Sequence, residues 1–220
     1  MYLEELHANL SKPAFVVPVM QRAAMHGADH AFATIPYPIS AVANTNTLEL
    51  DMALSCPGHA DADCPTWDHT IQLYACCYPS ASEASAAGTC SVELGRWISP
   101  FRRRIGRWLT DVSPLKPLLN DTFCNFRLLT AAWAEPWVVS LNLRFTQAAD
   151  QAAAAVVHPL FEGGTFNSTY NDRPALQVTL KGSVAKVLLE AVITGHGSDN
   201  NGALAVQGVC VHTHLTRLPL

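Results

Sequence analysis

Apolar and polar residues alternate with a period of two along most of this 220-residue chain, the signature of half-buried strands rather than helices. Residues 14–20 (AFVVPVM) read as an opening strand, and Pro18 inside it suits a sheet edge. After a loop around Gly27, residues 31–39 (AFATIPYPI) are extended and punctuated by proline. Residues 47–55 (TLELDMALS) and 70–75 (TIQLYA) alternate regularly. The small-residue stretch 80–88 (SASEASAAG) predicts a loop, with the strands on either side forming a hairpin. Residues 94–99 (LGRWIS) form another strand, stopped by Pro100, and 108–112 and 126–130 are further candidates. The clearest alternation is at 138–145 (VVSLNLRF). Only 147–159 (QAADQAAAAVVHP) is helix-prone, and it reads as a linker with a short helix as the alternative. Beyond it, 175–182 (ALQVTLKG) and 185–197 (AKVLLEAVITGHG) return to strand character.

Strand runs every 10–15 residues, separated by Pro, Gly and Asn, predict an all-β antiparallel sandwich. Residues 13–147 supply enough strands to bury their own core, and 148–157 read as a linker. Residues 158–220 hold three or four strands, too few for a two-sheet sandwich, so the second unit is expected to be partial.

Charge narrows the function classes. Fourteen Lys and Arg stand against 18 Asp and Glu, a net charge of −4, which leaves little capacity to neutralise phosphates and disfavours nucleic-acid binding. With 49% hydrophobic and 15% charged residues the chain is not wholly disordered, and it has no apolar run long enough for a transmembrane segment.

The seven cysteines are the strongest compositional signal. Cys56, Cys64, Cys76, Cys77, Cys90 and Cys124 cluster in the first unit, and Cys210 stands alone near the end. Their spacing lacks the paired pattern of a zinc site, which favours disulfides and an oxidising, secretory compartment. Sequons at Asn9, Asn120 and Asn167 point the same way. Residues 1–12 (MYLEELHANLSK) are acidic and do not read as a signal peptide, so either the start lies upstream or the chain is not secreted.

The segment CPGHADADCPTWDH (56–69) is the best candidate for chemistry. A Cys56–Cys64 disulfide would close a short loop, worth about 2–3 kcal/mol in the loop-entropy picture, and pin the turn that follows. Trp67, Asp68 and His69 would then emerge from a rigid frame, with Asp68 placed as a general base. The alternative is that Asp61 and Asp63 are solvated loop residues and Asp68 a turn cap.

Four motifs in the first unit and one in the second carry a resemblance. Cys64-Pro65-Thr66-Trp67-Asp68-His69 before a strand resembles the C-x-x-W-D-R turn of the peptide-N-glycosidase F family. ELGRWISPF (93–101) is similar to that family's EIGRFITPY strand, and WLTDVSPLKPLL (108–119) to its LEIDVTDFKSLL. LLTAAW (128–133) resembles a T-x-x-W strand lining the family's cleft, and LLEAVITGHG (188–197) a strand ending I-S-G-W-G. The resemblance implies two jelly-roll sandwiches side by side, with the active site at their interface. It implies an amidase that hydrolyses the glycosylasparagine bond of N-glycosylated peptides or glycoproteins without a cofactor, acting as a monomer. Asp68 matches the water-activating aspartate, while Trp67, His69 and Trp133 match substrate-binding positions. The disulfides expected are Cys56–Cys64 and a bridge from the Cys76-Cys77 pair to Cys90, with Cys210 matching half of a second-domain bridge whose partner position is Val206.

The departures are as specific. His69 replaces the family's Arg after the aspartate and cannot form a bidentate fork. A cleft Glu falls at Ala131, a second functional Glu falls at Gly208, and Glu135 is the nearest substitute in sequence. These losses leave a non-catalytic glycan-binding module as an alternative. His212 and His214 resemble the H-x-H motif of ascorbate-dependent copper monooxygenases and make copper binding a second alternative. The basic run at 101–108 (FRRRIGRW) could hold an anion or glycan, but reads better as a solvated hairpin.

Overall fold

The computed structural model describes residues 2–58, 60–102, 105–149, 156–160, 169, 172, 174–179, 187–190 and 214–217. Helix α1 (Tyr2–Leu10) leads into β1 (Phe15–Met25) and β2 (Ala31–Pro36). A short helix α2 (Ile39–Val42) precedes β3 (Glu49–Ser55) and β4 (Thr70–Tyr78). Helix α3 (Ala81–Ala86) lies between β4 and β5 (Val92–Ile98), which is followed by β6 (Gly106–Asp111). A 3-10 turn, Ser113–Leu118, leads to β7 (Phe123–Leu129) and β8 (Trp137–Phe145). Three short strands follow: β9 (Val156–Pro159), β10 (Val187–Glu190) and β11 (His214–Arg217).

The first eight strands form two four-stranded sheets ordered β1-β8-β3-β6 and β2-β7-β4-β5, and every pairing is antiparallel. This is the jelly-roll order, in which the chain changes sheet at every connection except β4–β5. That exception is the hairpin expected around 80–88. Its loop is not structureless, because Ser80 caps α3 by accepting the Glu83 N–H at 3.2 Å and donating to the Glu83 carboxylate at 2.9 Å. The Ser-x-x-Glu spacing is a capping box. Helix α1 is likewise unanticipated; Arg144 holds its end by donating to the Asn9 and Lys12 carbonyls at 3.2 and 3.1 Å.

Strand parity builds the core. Leu50, Met52 and Leu54 of β3, with Val139, Leu141 and Leu143 of β8, face Ile71, Leu73, Phe126 and Leu128 of the other sheet. All ten are buried. Pro18 does lie on an edge strand, and β1 runs further than its pattern suggested because register shifts after Pro18 and Met20 absorb the extra residues.

The same parity sorts the adjacent cysteines. Successive side chains on β4 point to opposite faces, so Cys76 and Cys77 cannot share a partner. Cys77 faces the core and bonds to Cys124, its cross-strand neighbour on β7. Cys76 faces outward and bonds to Cys90. With Cys56–Cys64 this makes three disulfides among the described residues, as befits a chain folding in an oxidising, extracellular-type environment. The Cys56–Cys64 bridge was expected, as was one from the Cys76-Cys77 pair to Cys90, which the structure assigns to Cys76; Cys77–Cys124 was not. Its 47-residue separation makes it worth about 4 kcal/mol in the loop-entropy picture. Cys210 and Val206 lie outside the described residues.

A bulge in β5 places a buried ion pair. Leu73 pairs with Gly95 and Tyr74 with Glu93, so Leu94 is the extra residue. In a regular strand Glu93 and Arg96 would point to opposite faces; the bulge brings them to the same one. Arg96 donates through Nε at 2.5 Å and through Nη2 at 2.9 Å to the two oxygens of Glu93, and both side chains are buried.

Strands β10, β11 and β9 form a separate antiparallel sheet in that order. Val156–Pro159, at the end of the stretch read as linker or helix, is therefore a strand, and its Val157 packs against the sandwich core. Ala175–Thr179, anticipated as strand, has no strand pairing, and the remainder of 175–182 lies outside the described residues. No helix among the described residues is long and apolar enough to cross a membrane.

Two consequences can be measured. Removing Glu93 leaves a buried guanidinium unpaired, so Glu93→Ala is expected to lower unfolding free energy in chemical denaturation by about 3–5 kcal/mol. Burial, aided by the charge of Asp111, raises the pKa of Glu190. A raised folded-state pKa means that its contribution is fully present below the ordinary carboxylate range and is lost as pH climbs through the raised value. Glu190→Gln is thus expected to raise the melting temperature at pH 7 by roughly 2 °C, with the gain vanishing near pH 4.

Candidate active site

The turn carrying Trp67 and Asp68 connects β3 to β4 and is held from four directions. At its start, the Cys56–Cys64 disulfide ties the end of β3 to the end of the 3-10 turn Asp61–Asp63. Within the loop, the Asp63 carboxylate accepts the Ala60 N–H at 3.0 Å and lies across Gly58, where a Cβ would collide with it. Asp63 thus acts as a local cap, which agrees with its reading as a loop residue. His59 and the side chain of Asp61 lie outside what is described.

The turn itself is stitched to two other connections. From the β5–β6 connection, the Ser99 hydroxyl accepts the His69 N–H at 2.8 Å and the Ser99 N–H donates to the His69 carbonyl at 2.9 Å. Arg102, in the left-handed region at φ 61°, donates its N–H to the Thr66 carbonyl at 3.0 Å. From the β7–β8 connection, the Glu135 carboxylate accepts the Thr66 N–H at 2.9 Å. A charge-assisted bond of this kind is stronger than a neutral one.

These contacts fix the flanking rings. Trp67 is 62% exposed and rests against Phe101, with ring centroids 5.7 Å apart and planes tilted by 39°. The Arg102 guanidinium lies 5.3 Å from the Phe101 centroid, close enough for cation–π attraction. On the other side, His69 packs nearly perpendicular to Trp133, with ring centroids 6.4 Å apart and planes at 82°. Trp133 is 71% exposed, and Asp68 sits half-buried between Trp67 and His69 in sequence. The carboxylate is therefore carried on a braced turn between an exposed indole and an imidazole that leads to a second exposed indole.

Trp133 does not end a strand as its motif suggested. Strand β7 stops at Leu129, and Ala131–Ala134 form a turn closed by the Ala134 N–H donating to the Ala131 carbonyl at 2.9 Å. Gly27 holds this turn in place. Its N–H donates to the Ala134 carbonyl at 3.2 Å, its φ is 40°, and a Cβ there would lie 2.6 Å from the Ala132 carbonyl oxygen. Only glycine allows so close an approach.

Ser99, Phe101, Arg102 and Glu135 were not assigned roles from sequence. Proximity to a motif had flagged Glu135, but the loop–loop pairing that brings it to Thr66 has no local signal. Of the basic run, Arg107 turns away and forms a bidentate pair with Asp51 at 2.8 Å through both nitrogens, while Arg103 and Arg104 lie outside the described residues. Among the described residues no group of three or more His, Cys, Asp or Glu side chains is placed to hold a metal. His212 lies outside the described residues, as does the side chain of His214, whose backbone pairs with Glu190 and Pro159.

Residues 17–145, more than half of the chain, match the family model described as peptide-N-glycosidase F, N terminal. The chain belongs to that family. Solved structures agree in fold. One is peptide-N-glycosidase F, described as a glycosylasparaginase from Flavobacterium meningosepticum, at 17% identity and a TM-score of 0.60, covering 88% of this chain and 64% of that one. A second, a peptide-N(4)-(N-acetyl-β-D-glucosaminyl)asparagine amidase, shares 17% identity at a TM-score of 0.59 and covers 87% of this chain and 64% of that one. A third, PNGF-II, shares 14% identity at a TM-score of 0.55 and covers 89% and 48%. This chain thus spans somewhat less than two thirds of the length of the first two. No curated protein matches the sequence.

The bracing can be tested directly. Glu135→Ala removes the acceptor for the Thr66 N–H and is expected to speed hydrogen exchange of that amide about tenfold by NMR, with core amides unchanged.

Proposed function

We propose that this chain hydrolyses the amide joining asparagine to the first N-acetylglucosamine of N-glycosylated peptides or glycoproteins. Asp68 accepts a proton from water as the water oxygen attacks the amide carbonyl. The C–N bond then breaks, leaving a carboxylate on the peptide and an amine on the sugar, with the proton delivered to that amine. The observation that carries this reading is the half-buried Asp68 on a turn braced by a disulfide, two loops and a carboxylate, in a chain of the peptide-N-glycosidase F family. A base that must meet water and an amide in one geometry benefits from such fixed placement. Trp67 and Trp133 present flat apolar faces suited to pyranose rings, and His69 supports Trp133 through its edge contact.

A second reading, a glycan-binding module without turnover, is favoured by one observation. Glu135, the nearest carboxylate to the missing Glu at Ala131, is already engaged by the Thr66 N–H. One assay separates the two readings. A fluorescent N-glycopeptide incubated with the folded chain should yield the aspartyl peptide, and Asp68→Asn should lower kcat/KM by about 10²–10⁴-fold while preserving the fold. Trp133→Ala should raise KM roughly tenfold through the lost ring contact. Saturable binding with no aspartyl product would replace the amidase by the binding module.

A further inference from the structure

The β2–β3 and β6–β7 connections line a half-open cavity of about 350 Å³ at the other end of the sandwich. This volume falls in the range of small-ligand sites. Ile39, Val42, Pro117 and Leu119 line it with apolar surface, and Tyr37 and Lys116 add polar groups. Tyr37 is only 4% exposed, its ring edge against Phe145 at 6.1 Å, and its hydroxyl has no hydrogen-bond partner among the described residues. Burial raises its pKa, so it remains a neutral donor throughout the physiological range. Lys116 donates through Nζ to the Val42 and Thr45 carbonyls at 3.0 and 2.5 Å, which occupies two of its three N–H groups. A buried phenol and a partly committed ammonium lining one cavity of mixed polar and apolar surface suit a neutral ligand that combines a carbonyl or hydroxyl acceptor with apolar faces.

Such a ligand has a place of attachment on the rim. Asn120 is exposed, lines the cavity and begins the sequon Asn120-Asp121-Thr122 in the loop before β7. The other two sequons lack this setting. Asn9 lies half-buried in the last turn of α1 with its side-chain oxygen accepting from Lys12 Nζ at 2.8 Å, and Asn167 lies outside the described residues.

We propose that Asn120 carries an N-glycan and that the cavity beside it receives the first N-acetylglucosamine. The donor is a polyprenyl-diphosphate-linked oligosaccharide. The Asn120 amide nitrogen bonds to the anomeric carbon, the bond from that carbon to the diphosphate oxygen breaks, and the amide proton leaves as the diphosphate departs with the electron pair. In the folded chain the Thr122 hydroxyl donates to the Pro79 carbonyl at 2.7 Å, so attachment belongs to the emerging chain, before this loop closes. Folding then brings the sugar to the cavity, where its acetamide carbonyl or a hydroxyl accepts from Tyr37 and its apolar face covers Pro117 and Leu119.

The test uses the full chain secreted from a glycosylating eukaryotic host behind a secretion signal. Peptide mapping should find Asn120 occupied, and Asn120→Gln should remove that glycan alone. After endoglycosidase trimming to a single N-acetylglucosamine, the wild type should melt about 2 °C above Asn120→Gln. Tyr37→Phe should abolish that difference while folding normally. Recovery of secreted, folded chain with Asn120 unmodified would overturn the proposal. So would an occupied Asn120 whose trimmed form melts with Asn120→Gln. Amidase action on the chain's own glycan would leave aspartate at position 120, which peptide mapping distinguishes from an unmodified asparagine, so this proposal and the functional one stand or fall separately.

Discussion

Alternation of strand direction is the constraint on which the rest depends. Because the chain reverses at each of its first eight strands, the connections β1–β2, β3–β4, β5–β6 and β7–β8 all emerge at one end of the sandwich. The hydrogen bonds confirm it: Gly27 reaches Ala134, Arg102 and Glu135 both reach Thr66, and Ser99 reaches His69. Segments far apart in sequence thus meet without any of them needing a long excursion, and the sheets beneath supply the rigidity. Function commonly sits on loops that a scaffold of this kind positions. The remaining connections emerge at the opposite end, where β2–β3 and β6–β7 line the cavity between Tyr37 and Lys116.

The parity of β4 couples this scaffold to its covalent bonds. Cys77 bonds inward to the neighbouring strand and Cys76 bonds outward to the segment after α3, so two adjacent residues fasten both faces of the same sheet. A third bridge closes the loop leading to Trp67 and Asp68. The distribution is uneven in a meaningful way. Two bridges reinforce the sheet whose strand β4 follows His69, and one restricts the turn directly, so the exposed aromatic residues of the turn stand on a cross-linked backbone. Trp67 and Trp133 can stand out from the surface because the backbone beneath them is held by disulfide, carboxylate and cross-loop bonds rather than by burial of their own rings.

Features carried by period or by a local motif were legible before the structure. The alternation in 47–55 and 138–145 identified β3 and β8, Pro18 identified an edge, and the C-P-T-W-D turn pointed to the family. What could not be read was non-local or hidden by composition. The Cys77–Cys124 bond requires knowing that β7 lies beside β4. The Glu93–Arg96 pair requires a bulge at Leu94, since ordinary strand parity would separate the two. The Glu135–Thr66 bond joins loops 69 residues apart. Helix α3 was different: its Ser80-Ala81-Ser82-Glu83 capping box was present in the sequence but lay within a small-residue stretch that resembles a loop. Trp133 shows the limit of a motif, which located the residue while misjudging its backbone.

The replacement of arginine by His69 follows the same logic of placement. A guanidinium after the aspartate would offer a planar fork to a substrate, which a single imidazole cannot reproduce. Here the imidazole instead packs nearly perpendicular to the Trp133 ring, and its backbone is held on both sides by Ser99. A cation returns to the neighbourhood from another loop, because the left-handed turn at Arg102 sets its guanidinium over Phe101, the ring on which Trp67 rests. The cation beside the aspartate turn in this chain thus comes from the adjacent connection. Aromatic surface flanks Asp68 on both sides, since Phe101 lies against Trp67 and Trp133 against His69.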